Sequence, residues 1–171
     1  SGAYVATPAN FQGHSLTGYQ FTKWVMDDVA YDDGENNDND QPLMRYAEVL
    51  LNYAEAQAEL GKLTDAEWAE TIGALRARAG ITGGTAQTGT LTTKPTSAEP
   101  YIAAYYPGVS NPVVLEVRRE REIELALEGL RLNDLKRWNA CDLWVNDPWQ
   151  GVLIPALNAP LDMNGDGTYD A

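Results

Sequence analysis

Residues 41–61, "QPLMRYAEVLLNYAEAQAELG", impose the strongest folding constraint in this 171-residue chain. Apolar side chains recur there at steps of three and four residues, which places them on one face of a helix. Pro42 suits the first helical turn, where its missing N–H costs nothing, and Gly61 can end the helix. The segment therefore predicts an amphipathic helix of about five turns, whose apolar face carries Ala47, Leu50, Leu51, Ala54 and Ala58.

A second helix follows after a connection of only a few residues. Thr64 and Glu67 form a capping pattern, in which the hydroxyl and the carboxylate each accept a hydrogen bond from the other residue's backbone N–H. Two helices joined by so short a loop lie antiparallel. Residues 42–80 therefore predict a helical hairpin, and the apolar face of its second helix carries Trp68, Ile72, Leu75 and Ala79.

Residues 112–139 predict a second helical pair, separated from the first by a loop insert at residues 81–111. The insert is rich in Gly, Thr and Pro, and "YIAAYY" is its candidate for a short ordered piece. Asn111 and Pro112 repeat the cap-then-proline start of a helix. We expect the first helix of this pair to end near Gly129 and the second to carry Leu132, Leu135 and Trp138.

The order hairpin, insert, hairpin is typical of stacked helical repeats, in which each unit buries its apolar face against the next. We therefore predict an all-α fold of tetratricopeptide-like helical hairpins with long irregular loops. The prediction treats residues 1–171 as a single helical domain, with an irregular tail over residues 140–171. No run approaches the roughly 20 apolar residues that cross a bilayer, so no transmembrane segment is expected.

Residues 117–138, "VRREREIELALEGLRLNDLKRW", hold six of the chain's twelve cationic side chains, although the formal net charge of the chain is −13. Five carboxylates lie among them, so the local charge nearly cancels. The spacing predicts ion pairs of Arg118 with Glu122 and of Arg121 with Glu124, each contributing about 0.2–0.5 kcal/mol if exposed. We expect no nucleic-acid partner, and we expect the core-facing side chains of this stretch to be Val117, Ile123, Leu127 and Leu130.

Three stretches, "RYAEVLLNYAEAQAELG", "LRARAGI" and "RREREIELALEGLRLNDLKRW", resemble the C-terminal half of SusD/RagB-family proteins, and the match is best over residues 42–139. The resemblance implies a helical fold containing tetratricopeptide-like hairpins. It also implies an outer-membrane lipoprotein at the cell surface that binds glycans or other nutrients. The implied partner is a TonB-dependent SusC-like transporter, over whose barrel the protein acts as a lid.

The resemblance places the lipid-bearing cysteine and much of the sugar-contacting surface in an N-terminal half that this chain lacks. We therefore expect glycan or nutrient binding to occur through the full-length parent, with this chain as scaffold and transporter-facing surface. Cys141, the single cysteine, is internal and is not expected to carry the lipid. The alternative is a tetratricopeptide-type protein–protein interaction module without a glycan role.

No catalytic residue is predicted, and we do not expect an enzyme. A glycosidase needs two carboxylates flanking the scissile bond, but the glutamates here lie mostly on amphipathic helices as ordinary ion-pair partners. His14 is the only histidine, which leaves no His-based triad deeper in the chain. Trp144 and Trp149 are weak candidates for a glycan platform, because sugar rings pair their C–H faces with aromatic planes.

Residues 162–170, "DMNGDGTYD", place oxygen donors at alternating positions, as calcium loops do. Gly167 allows the sharp turn, and the twelfth position, which usually holds a bidentate carboxylate, falls beyond Ala171. The preceding residues do not predict an entering helix, so the pattern favours a weak calcium loop rather than an EF-hand. Calcium is thus the one cofactor predicted, with the ligands Asp162, Asn164, Asp166, Thr168 and Asp170.

Isothermal titration calorimetry of the 171-residue chain with CaCl₂ tests this loop. We expect saturable binding with a Kd of about 10⁻⁴–10⁻³ M, the range of weak extracellular calcium modules. Asp166→Ala removes a central ligand and is expected to abolish the heat, whereas Asp40→Ala, outside the loop, leaves it unchanged. Equal heats from the wild type and Asp166→Ala would remove the assignment.

Overall fold

The computed structural model of the chain describes residues 23–24, 40 and 42–146. The chain divides into two compact units, Pro42–Asp147 and a second made of Ser1–Gln41 with Pro148–Ala171. In the described part of the second unit, the Lys23 ammonium lies 5.4 Å from the centroid of the Trp24 ring. The single domain over residues 1–171 stays a prediction, and Trp149 and the predicted calcium loop lie outside the described residues.

The described part of the Pro42–Asp147 unit is helical, which confirms the all-α prediction. No strand forms within it, and its one extended pairing is an isolated antiparallel bridge between Thr85 and Gly89. The helical elements are α1 Tyr46–Glu59, α2 Asp65–Trp68, a π-helical segment Ala69–Gly73, α3 Ala74–Arg78, α4 Pro100–Tyr105, α5 Pro112–Glu124, α6 Arg131–Arg137 and α7 Asp142–Asn146.

Helix α1 forms where the apolar periodicity predicts it, although it begins at Tyr46, four residues after Pro42. Its predicted inner face is buried, with Leu50 partly buried at the edge. Gly61 follows the helix with a φ of 65°, the left-handed conformation that a glycine adopts without strain. The sequence pattern thus predicted both the inner face of α1 and its termination.

The second helix of the first hairpin runs from Asp65 to Arg78 as α2, the π-helical segment and α3. It starts at the predicted capping box: the Glu67 N–H donates to Thr64 Oγ1 at 3.2 Å, and the Thr64 N–H donates to Glu67 Oε2 at 2.8 Å. The π-helical segment was not predicted. It coincides with a close approach of the insert backbone, since a Cβ on Gly73 would lie 2.0 Å from the Leu91 carbonyl oxygen.

The main core lies where α1 packs against α5 and the π-helical segment. Trp68 fills its centre, fully buried, and its indole Nε1 donates to the Thr90 carbonyl of the insert at 2.9 Å. A smaller cluster joins α4 to α5. The stretch "YIAAYY" thus contributes to an ordered helix within the insert, with Ile102 and Tyr106 buried against Leu115.

Helix α5 ends at Glu124, earlier than the predicted end near Gly129. Val117 is buried and Leu130 packs against the core, as expected, but Ile123 and Leu127 are 62% and 51% exposed, so their core placement is wrong. Ile123 lies off the face that carries Val117, and Leu127, with a φ of 66°, belongs to the turn after the helix. Charged side chains occupy the inward positions of α5 instead; they include Glu116, Arg118, Glu120 and Arg121.

Gly73→Ala is expected to destabilise the unit by about 1–3 kcal/mol, the usual cost of overpacking. The added methyl would collide with the Leu91 backbone, which cannot move as a side-chain end could. Urea unfolding followed by circular dichroism measures the change. Gly83→Ala is the matched control, because a Cβ there meets nothing within 4 Å; equal losses in both variants would contradict the close-contact account.

Candidate functional site

A buried arginine, Arg76, joins α3, α5 and the insert. Its contacts fix the relative positions of these elements, which support the candidate site. Arg76 Nε donates to Glu120 Oε1 at 2.9 Å, and its guanidinium also forms an ion pair with Glu116. Its Nη1 donates to the Thr88 carbonyl at 2.8 Å. All three ionised side chains are buried, so each charge depends on the others for stabilisation.

A second buried network joins α1, α5 and α6. Arg121 Nε donates to Asp134 at 2.8 Å, and Arg137 donates to the same carboxylate at 2.9 Å. Arg137 also pairs with Glu55, which accepts a further hydrogen bond from Trp138 Nε1 at 2.6 Å. The network therefore holds the Trp138 indole against α1.

These contacts correct the predicted ion pairs within one helix. Arg118 lies 3.0 Å from Glu59 of α1, not against Glu122, and Arg121 reaches α6, not Glu124. The reason is that the charged face of α5 is turned towards the neighbouring helices. The expected mutual neutralisation of charge is confirmed, but it operates mainly between elements and largely in buried surroundings.

Burial shifts the pKa of two groups, Glu116 and Tyr106. It raises the pKa of the Glu116 carboxyl, against the opposing influence of Arg119 and Arg76. It also raises the pKa of the Tyr106 phenol, whose oxygen accepts a hydrogen bond from Arg131 Nη1 at 3.1 Å. Tyr106 is therefore a neutral hydroxyl at physiological pH.

The candidate site is a pocket of about 760 Å³ within the Pro42–Asp147 unit. This volume falls within the roughly 300–1,000 Å³ typical of small-molecule sites. Its walls come from the end of α1, from α4 and the turn after it, from the middle of α5, and from the α6–α7 region. The lining residues are Glu59, Ala104, Tyr105, Tyr106, Pro107, Gly108, Val109, Arg118, Trp138, Asn139, Ala140, Asp142 and Leu143.

Arg118 is the cationic group of the pocket wall and is 7% exposed. Its guanidinium carbon lies 5.3 Å from the Tyr106 ring centroid and 4.7 Å from that of Trp138, so two aromatic rings stabilise the charge. Its Nη2 pairs with Glu59, whereas its Nε is buried without a hydrogen-bond partner. The wall thus contains one unsatisfied donor.

Aromatic rings form a continuous row beside the pocket. Tyr101 stacks on Tyr105 with centroids 6.0 Å apart, and Tyr105 meets Tyr106 edge-on at 5.5 Å. Tyr106 in turn meets Trp138 edge-on at 5.9 Å. The guanidinium carbon of Arg137 also lies 4.7 Å from the centroid of the Trp138 ring. This ring is therefore already in contact with a charged side chain of the protein.

Of the residues predicted as binding sites, only Trp144 lies among the described residues. Trp144 lies on α7 and is 51% exposed, and it does not line the pocket, although Asp142 and Leu143 of the same helix do. Trp149 and the five predicted calcium ligands lie outside the described residues, so all these assignments stay predictions. Within residues 23–24, 40 and 42–146, no group of three or more His, Cys, Asp and Glu side chains could hold a metal ion.

Sequence reasoning missed the pocket because its walls come from four segments far apart in the chain. The sequence pattern pairs Arg118 with Glu122 within one helix and gives Trp138 only as one of the apolar residues of the next helix. One signal was available: the aromatic "YIAAYY" precedes a Pro-Gly turn, Pro107–Gly108, in an insert of unusual length.

The fold and the pocket together define a class: a helical-hairpin protein with a preformed pocket of mixed polar and aromatic lining. The sequence model of the SusD family matches residues 3–166, nearly the whole chain, and the chain belongs to that family. No curated protein and no solved structure matches it. No helix in the described part of the chain is long and apolar enough to cross a membrane.

Arg76→Met tests the buried frame. The substitution leaves Glu116 and Glu120 buried without their shared partner, so we expect a loss of about 3–5 kcal/mol in the free energy of unfolding. Arg78→Met is the matched control: Arg78 pairs with Glu124 but is 57% exposed, so its removal is expected to cost less than about 1 kcal/mol. Similar losses from urea unfolding of both variants would contradict the buried-pair assignment.

Proposed function

We propose that this chain takes part in non-enzymatic capture of a glycan or related nutrient at the outer cell surface, together with a TonB-dependent SusC-like transporter. Membership of the SusD family supports the nutrient-binding role and the location at the outer membrane. The observation that carries the proposal within this chain is the pocket, which combines aromatic rings with charged and amide groups, as ligand sites generally do.

The state of the buried carboxylates supports a binding role rather than catalysis. Glu55, Glu116, Glu120 and Asp134 each accept hydrogen bonds from arginine side chains. A glycosidase acid needs a carboxyl free to give a proton to the leaving oxygen. Carboxylates held in ion pairs are poorly suited to that step, and they serve the fold instead.

The outer face of α1 supports a docking role. Tyr46, Val49 and Tyr53 recur at helical spacing and are exposed, and Leu60 continues this apolar surface at the end of the helix. Exposed apolar patches of this kind are typical of protein contacts. In the nutrient-capture proposal, the transporter covers this face; the same face also favours the second candidate, a tetratricopeptide-type interaction module that recognises a protein without any glycan.

A glycan-array screen of the labelled 171-residue chain, beside its full-length parent protein, tests nutrient capture. We expect both to bind a common subset of glycans, because the pocket lies within this chain; this departs from the expectation, drawn from the resemblance, that the chain is scaffold alone. Binding by neither protein would contradict glycan capture and favour the interaction module.

Copurification tests the partner independently. An affinity-tagged SusC-like transporter, isolated from detergent-solubilised outer membranes of the native cells, is expected to retain the parent protein, detected by an antibody against residues 42–146. An unrelated tagged outer-membrane barrel is the control. Recovery of the protein only in the cytoplasmic fraction would contradict both the partner and the location.

A further inference from the structure

We infer that the pocket of the Pro42–Asp147 unit is a cation site for an alkylammonium ligand, an aliphatic chain that ends in a protonated primary amine. Free diamines and polyamines carry this group, and so do lysine side chains. The inference goes beyond the proposed function, because it concerns the charge and the apolar lining of the pocket and holds whether or not the captured nutrient is a glycan.

The charged side chains of the pocket favour a cation. Two carboxylates, Glu59 and Asp142, line it and both residues are exposed, whereas Arg118 is buried. Among the described lining residues, two negative charges therefore stand against one positive charge, which leaves a net charge of −1. The formal charge of −13 on the whole chain adds a long-range field of the same sign, which attracts cations.

Both carboxylates have oxygen atoms that can accept from a ligand. Arg118 Nη2 donates to Glu59 Oε1 at 3.0 Å, and no hydrogen bond to Glu59 Oε2 forms among the described residues. Asp142 forms no ion pair within the described part of the chain. An ammonium group has three N–H donors and no acceptor. It therefore suits these carboxylate oxygens, and its hydrogen bonds to them are charge-assisted.

The ends of two further helices act in the same direction. Glu59 is the last residue of α1 and Tyr105 the last residue of α4, and both line the pocket. The carbonyl groups in the final turn of a helix give that end a partial negative charge. Neither last turn contains a basic side chain to offset this charge, and Pro107, which follows α4, has no N–H to donate to a carbonyl.

The helices α6 and α7 do not reverse this balance. The last turn of α6 contains Lys136 and Arg137, but neither side chain lines the pocket. Helix α7 begins at the pocket with Asp142. The full negative charge of that carboxylate exceeds the roughly half unit of positive charge at a helix N-terminus.

The remaining lining suits the aliphatic part of the ligand. A pocket of about 760 Å³ has room for a chain of several methylene groups. Arg118 already lies against the rings of Tyr106 and Trp138, at 5.3 and 4.7 Å from their centroids. We therefore assign the ammonium of the ligand to the carboxylates, not to these rings. The apolar lining residues that can cover its methylene groups are Ala104, Pro107, Val109, Ala140 and Leu143.

Isothermal titration calorimetry of the 171-residue chain tests the charge preference. The probes are 1,5-diaminopentane, 1,5-pentanediol and glutarate, which share a chain length and differ in their end groups. We expect the diamine to bind at least about tenfold more tightly than the diol or glutarate. Equal or tighter binding of the diol or glutarate overturns the cation preference, and a diamine that does not bind overturns the site.

Two lysine derivatives separate the sources of the ammonium group. Nα-acetyl-lysine amide presents the group on a lysine side chain. Its binding, together with that of the diamine, assigns the site to alkylammonium groups in general, and binding of the diamine alone restricts the site to free amines. Where the lysine derivative binds, its uncharged Nε-acetylated form is expected to bind at least about tenfold more weakly. Equal binding of the two forms overturns the role of charge.

Variants test the location. Asp142→Asn and Glu59→Gln are each expected to weaken binding of the diamine by about tenfold. Glu70→Gln, an exposed glutamate outside the pocket lining, removes the same charge and is expected to leave binding within about twofold of the wild type. Equal effects of the three substitutions overturn the site, because diamine would then be attracted only by the overall negative charge of the chain.

Circular dichroism verifies that each variant is folded. Glu59→Gln also removes the partner of Arg118. Asp142→Asn breaks no ion pair among the described residues, so it decides the outcome if Glu59→Gln unfolds the chain.

The outcomes separate this inference from the proposed function. Diamine binding that Asp142→Asn weakens and Glu70→Gln does not supports the cation site, even if the glycan array and the copurification both fail. A chain that binds glycans on the array but no diamine overturns the cation site and leaves nutrient capture in place.

Discussion

The buried contact of Arg76 with Glu116 and Glu120 is the interaction on which the rest of the structure depends. It attaches α5 to the second helix of the first hairpin at a point where both helices are shielded from water. Ionised groups in such a place are tolerated only with close partners and well-directed hydrogen bonds. The contact therefore fixes the relative position of two helices through residues that lie 40 and 44 positions apart in the chain, beyond what apolar packing alone specifies.

Helix α5 connects this buried ion-pair contact with the pocket. One side of α5 meets Arg76, and Arg118 of the same helix stands at the pocket wall between Tyr106 and Trp138. Trp138 is itself held by Glu55 of α1. The shape of the pocket is therefore set in part by buried charges that belong to the fold.

The sequence predicted those features that depend on local chemistry. The inner face of α1, the Thr64–Glu67 capping box and the Asn111–Pro112 start of α5 are all present. It did not predict the contacts made by charged side chains, because a helical charge pattern has the same spacing whether its face is solvated or buried. The pocket depends on where the insert lies, and the π-helical segment coincides with the close approach of the insert backbone; no periodic pattern of the sequence reports that position.

The attachment of the insert at residues 88–91 bears on its conformational entropy. Thr88 and Gly89 accept from Arg76, Thr90 accepts from Trp68, and Leu91 rests on Gly73. Because these contacts hold residues 88–91, they divide the insert into two shorter loops. Each shorter loop loses less conformational entropy when it becomes ordered than one long loop would. The insert can therefore be long and still be ordered where it contacts the helices. We expect added residues to be tolerated better away from residues 88–91 than close to them.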